Sequence, residues 1–156
     1  MSKVPHIPEN FHAITPYLVM ENAAEAIEYY KDIFGAKVVV RMDAPGGKVG
    51  HAELQIGDSR FMLADENPQM SVPGHGSATR LGASPVSLYL YVPDVDRVID
   101  RAVKAGAKVL KPVQDQFYGD RSGFIQDPFG HFWGVATHIE DVSPQDLQER
   151  MKKAAA

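Results

Sequence analysis

A chain of 156 residues, 44% hydrophobic and 23% charged, can bury one sizeable core, either as a single domain or as two small fused modules. A net charge of -4 and a pI near 5.8, with Lys and Arg spread along the chain, argue against a nucleic-acid partner. The absence of cysteine excludes disulfides, thiolate catalysis and thiolate-bound metal, and leaves histidine, carboxylate and hydroxyl chemistry. The opening MSKVPHIPEN has neither an apolar core region nor a small-residue cleavage site, and no apolar run approaches membrane-spanning length. A cytoplasmic protein with no membrane partner is expected.

After a loose, proline-containing arm to Asn10, Phe11 to Met20 alternates, with Thr15, Tyr17 and Val19 on one face and Ile14, Pro16 and Leu18 on the other, and reads as a first strand. Asn22, followed by Glu25, is the expected helix cap; Ala23, Ala26, Ile27, Tyr30 and Phe34 then fall at the spacing of a buried stripe, and Gly35 ends the helix. Three strands follow: Ala36 to Met42, His51 to Ile56 after the turn at 43–47, and Ser59 to Asp65 after Gly57-Asp58. The order is βαβββ.

The stretch from Met20, MENAAEAIEYYKDIFGAKVVV, is matched from Val92 by VPDVDRVIDRAVKAGAKVLKP. Asn22 meets Asp94, Ile27 meets Ile99, and GAKV recurs at Gly35 and Gly106, so the module is duplicated at an offset of about 71 to 72 residues. In the second copy the last two strands flank Asp127-Pro128-Phe129-Gly130, where proline presets one φ and glycine can take the positive φ that reverses the chain. The expected organisation is a first βαβββ module over residues 11–65, a Pro/Gly/Ser-rich mobile linker over 66–85, a second module over 86–138 and a helical tail over 139–156. The two modules together form one α+β domain.

Two βαβββ modules, the second closing through DPFGH, resemble the vicinal-oxygen-chelate superfamily of glyoxalases, bleomycin-resistance proteins and extradiol dioxygenases. GHAELQIGDSRFMLAD, DQFYGDRSG and DPFGHFWGVATH resemble its PhnB-like branch in particular. The resemblance implies a glyoxalase-like fold in which curved, half-open sheets surround a ligand cavity with the helices outside, and a homodimer, since members commonly pair modules across chains. It also implies a metal held by first-strand and last-strand side chains of each module. Carried onto this chain those positions are Thr15, Met62, Ser87 and Gly134, none of them a strong ligand, so no metal is expected there; no cofactor is predicted, with a divalent metal elsewhere as the alternative.

Candidate ligand-binding residues lie elsewhere. His51 and Glu53 are two apart on a strand and share a face with Gln55, away from Ala52, Leu54 and Ile56. They suit a relocated metal, an acid/base pair or hydrogen bonds to a ligand, and equally a solvated strand face. Asp120 and Arg121 point to opposite faces, with Arg121 expected in a salt bridge before an anion site. His131 is expected to bond the turn backbone, and His138 ends the last strand. Tyr17, Tyr89, Phe117, Tyr118 and Trp133 suit the wall of a pocket for a flat ligand, as well as a core. The function expected is small-molecule binding without the usual metal; the alternative is a metal-dependent lyase, isomerase or dioxygenase centred on His51 and Glu53.

Overall fold

The computed structural model describes residues 4–70 and 72–154, and the chain divides after Ala83 into two compact units. The first contains β1 (Tyr17–Met20), α1 (Ala23–Phe34), β2 (Lys37–Ala44), β3 (Lys48–Ile56), β4 (Ser59–Asp65) and the single turn α2 (Ala78–Leu81). The second contains β5 (Ser87–Tyr91), α3 (Val95–Lys104), β6 (Lys108–Asp115), β7 (Asp120–Gln126), β8 (Phe132–His138) and α4 (Pro144–Ala154). Each unit is therefore βαβββ, an α+β module whose four strands form one open sheet.

The strand orders are β1-β4-β3-β2 and β5-β8-β7-β6, with β1 parallel to β4, β5 parallel to β8, and the remaining pairs antiparallel. Tyr17 pairs with Met62 and Tyr89 with Gly134, so the repeat persists in register at an offset of 72 residues. The stripe read from the sequence is the buried face of α1: Ala23, Ala26, Ile27, Tyr30 and Phe34 lie over Ala52, Leu54, Phe61 and Leu63. Tyr30 stacks on Phe34 and meets Phe61 edge-on, with centroids 5.8 and 5.7 Å apart. Each fully buried Leu or Ile here stabilises the module by about 1.5–3 kcal/mol relative to exposure. In the second unit Val95, Ile99 and Ala102 of α3 cover Ile125, Trp133 and Val135.

Two expectations change. The first strand begins at Tyr17 and not at Phe11: Pro16 has no N–H to give, and the Thr15 hydroxyl turns back to the His12 carbonyl at 3.3 Å. Asn22 makes no side-chain cap; Asp65, at the end of β4, accepts the Ala23 N–H instead, whereas Asp94 does cap α3 through the Arg97 N–H. Within the linker, the Glu66 carboxylate accepts from Ser77 N–H and Arg80 Nε at 2.7 and 2.6 Å, and Ser77 caps α2. Among the described residues, no helix is long and apolar enough to cross a membrane.

Candidate functional site

Because α1 and α3 each cover one face of their sheet, strand alternation decides which side chains the opposite face carries. In the first unit these are Tyr17, His51, Glu53 and Arg60. The Tyr17 hydroxyl lies 2.9 Å from His51 Nδ1. Partial burial raises the Tyr17 pKa, so the phenol keeps its proton. His51 Nε2 lies 3.6 Å from Glu53 Oε1. Glu53 Oε2 in turn lies 3.8 Å from Arg60 Nη1, and the Arg60 guanidinium sits 4.8 Å from the centre of the Phe11 ring. Arg60 Nε is buried without a hydrogen-bond partner among the described residues. Gln55, on the same strand face, is spent on the Gly57 carbonyl.

In the second unit the corresponding face is built around Asp120, only 4% exposed. Its Oδ2 accepts from the hydroxyls of Tyr89 and Tyr91 at 3.2 and 3.0 Å, and its Oδ1 meets His138 Nδ1 at 2.8 Å. His138 Nε2 meets Asp141 at 3.0 Å, and these two carboxylates raise the imidazole pKa above its ordinary value. Burial first, and bonding to Tyr118 second, hold the Tyr89 phenol far above its usual range, so it stays a donor. Tyr118 reaches Ser122 Oγ at 3.4 Å, and Phe117 packs edge-on against Tyr118 with centroids 5.3 Å apart.

Two candidates lie on the α3 side of the sheet and not on the opposite face, and for each the structural alternative held open in the sequence describes its contacts. Trp133 is 3% exposed on the α3 side, and its Nε1–H donates to Asp127 Oδ2 at 2.9 Å, so it is a core residue and not a pocket wall. Arg121 also turns to the α3 side, where it donates twice to Asp96 and once to Asp115 at 2.7 to 2.8 Å; its charge is spent joining helix to sheet. The turn is held by Asp127, whose Oδ1 accepts the N–H groups of Phe129 and His131, while His131 Nε2 is buried without a partner among the described residues. Arg60, Ser122 and Asp141 were not singled out in the sequence. Arg60 was within reach, since it alternates with Met62 on the strand that pairs with His51-Ala52-Glu53.

The superfamily's metal positions offer a poor fit to a cation. Thr15 and Ser87 supply neutral hydroxyls, Met62 a thioether and Gly134 no side chain. A Cβ at Gly134 would lie 2.6 Å from the Tyr89 ring, so the aromatic occupies the space a ligating side chain there would need. Among the described residues no three His, Asp or Glu side chains converge as a metal site.

A tandem pair of βαβββ modules with polar, aromatic sheet faces defines the glyoxalase-like class. Residues 10–135 match the Glyoxalase/Bleomycin resistance protein/Dioxygenase superfamily, and the chain belongs to that superfamily. An uncharacterized protein of Mycobacterium bovis is 40% identical over 139 residues, covering 89% of this chain and 91% of its own. Among solved structures, TioX from Micromonospora sp. is similar with a TM-score of 0.64 and 26% identity, over 82% of this chain and 99% of its own. The PhnB protein of Bacillus cereus shares the fold, with a TM-score of 0.63 and 20% identity over 81% and 99% of the two chains.

Proposed function

We propose that this protein binds a small organic molecule on the sheet faces turned away from α1 and α3, without a metal at the superfamily's usual positions, and that it stands with the PhnB-like branch. The observation that carries the reading is the pair of register-equivalent tyrosines. Tyr17 and Tyr89 are 47% and 51% exposed, and each hydroxyl is fixed by a titratable partner, His51 in one unit and Asp120 in the other. A ring offered to solvent but anchored at its polar end suits stacking against a flat ligand. Metal-dependent chemistry around His51 and Glu53 is less well supported, because Tyr17 engages His51 Nδ1 and Arg60 stands by Glu53.

A second copy of the chain is the partner proposed for the edge strands, and the cytoplasm is its proposed location. The test of function is nondenaturing mass spectrometry of protein purified under native conditions, beside elemental analysis and a hemithioacetal isomerase assay with added nickel or zinc. A retained organic mass lost in Tyr17→Ala and Tyr89→Ala, with no isomerase turnover, is the expected result. One metal per chain, lost in His51→Ala and accompanied by turnover, would overturn it.

A further inference from the structure

From the surroundings of Asp120 we infer that the second unit carries a site for an organic cation, a protonated amine or quaternary ammonium, received by the rings of Tyr89, Tyr91 and Tyr118 and the Asp120 carboxylate. The inference rests on the small-molecule reading above and narrows its ligand class.

A carboxylate removed from water is costly unless hydrogen-bonded and matched by a positive charge. Asp120 has its hydrogen bonds, from Tyr89, Tyr91 and His138, but two of those donors are neutral phenols. Among the described residues its countercharge is therefore His138 alone, and only when that ring is protonated. His138 is half exposed and is drawn outward by Asp141, which is fully exposed. Arg121, the sequence neighbour of Asp120, is committed to Asp96 and Asp115 on the α3 side, and Arg150, which reaches the Phe117 carbonyl, to Glu140 at 2.6 and 2.8 Å.

The aromatic groups around the carboxylate have the geometry a cation uses. Tyr89 and Tyr91 form a corner, with centroids 5.3 Å apart and planes at 62°, and Phe117 and Tyr118 form another at 5.3 Å and 85°. Tyr91 is 60% exposed and the other three rings more than a third exposed, so ring surface is available to a ligand. Ring faces are the negative parts of aromatic side chains and attract an ammonium group, Lys-like or quaternary, most strongly where a carboxylate lies behind them. A compact divalent ion is a worse match, because it wants several anionic oxygens and Asp120 is the single buried carboxylate on this face among the described residues.

The charged groups bonded to His138 are Asp120 from β7 and Asp141 from the chain after β8, and the phenols of Tyr89 and Tyr91 share the Asp120 carboxylate with it. Protonated His138 supplies the same countercharge as the ligand and competes with it. Affinity for the cation accordingly rises as pH rises through the His138 titration.

The probe is choline, titrated by calorimetry into the full-length protein beside its uncharged carbon isostere, dimethylbutanol. Expected are saturable choline binding at least about tenfold tighter than the isostere, tightening from acid to alkaline pH, and a comparable loss in Tyr91→Ala. Asp120→Asn should abolish the discrimination, and His138→Gln should abolish the pH dependence. Equal affinity for the two probes, or no saturable choline binding, overturns the cation site. If such a result accompanies an organic mass retained in nondenaturing spectra, small-molecule binding survives and only its charge class is wrong.

Discussion

The carboxylate of Asp65, at the end of β4, accepts the N–H of Ala23, the first residue of α1, at 2.9 Å, and Thr137, 72 residues further on, does the same for Val95 of α3 at 2.9 Å. The helix start is thus capped from the last strand of its own module in both copies. Asp65 Oδ2 also accepts the buried Val49 N–H at 2.7 Å. Removing the carboxylate in Asp65→Ala strands two buried donors and should destabilise by about 2–4 kcal/mol, while Asp65→Asn should cost less. Thr137→Val should cost about 1 kcal/mol. Urea unfolding monitored by far-ultraviolet dichroism checks both, and near-neutral Asp65→Ala would mean the cap is dispensable.

The closing turn of the second module depends on two residues. Gly130 has φ of 87°, and Asp127 gathers the Phe129 and His131 N–H groups and the Trp133 indole. Gly130→Val should therefore destabilise by about 1–3 kcal/mol through backbone strain. Asp127→Ala should cost at least as much, because it leaves buried donors without an acceptor. Thermal melts of the two variants give the answer; unchanged midpoints would show that the turn tolerates other geometry.

The duplicated module, its helical stripes and the DPFG reversal were legible because they are local: periodicity 3.6, alternation, and turn residues at fixed spacing. The shared face of His51 and Glu53 was legible for the same reason. The cap on Ala23 was not, since Asp65 lies 42 residues away and a nearby Asn22 offers a local alternative. Trp133 was ambiguous because an aromatic in a strand suits core and pocket alike until the register places it on the α3 side. Arg60 joins Glu53 through the hairpin pairing of β3 with β4, a signal that alternation along β3 alone does not carry.

His138 should titrate above its ordinary value of 6.5, because first Asp120 and then Asp141 bind the charged ring. A folded-state pKa raised above the unfolded one means that the stability contributed by protonated His138 is complete below about pH 6.5 and fades as pH rises through the folded value. The stability gap between the natural protein and His138→Gln should therefore narrow from acid to alkaline pH. Proton NMR titration of the His138 ring supplies the midpoint; a value at or below the ordinary one, or a gap that widens with pH, would contradict the pairing.

The proposed homodimer follows from the sheet edges. β2 is an edge strand with Val38, Val39, Val40 and Met42 each more than a third exposed, and β6 is an edge strand exposing Val109 and Leu110. Unpaired backbone beside exposed β-branched residues is a template for association, which a symmetric second copy would cover. Sedimentation equilibrium at micromolar concentration should return twice the mass of 17.1 kDa, and charged substitutions such as Val39→Lys should shift it toward monomer. A monomeric natural protein would sink the proposal.

The six tyrosines provide the most direct test of where a ligand binds. Tyr29 and Tyr30 are buried in α1, whereas Tyr17, Tyr89, Tyr91 and Tyr118 belong to the faces turned away from the helices. Carbon-13 labelling of the tyrosine rings therefore reports on both environments in one NMR spectrum, with the helix pair as internal control. On stripping and restoring the molecule retained through native purification, the resonances of Tyr89 and Tyr91, with Tyr17 or Tyr118, should shift while Tyr29 and Tyr30 stay fixed. A ligand that moves only Tyr29 and Tyr30, or binds without moving any ring of the opposite faces, would contradict the assignment of those faces as the binding surface.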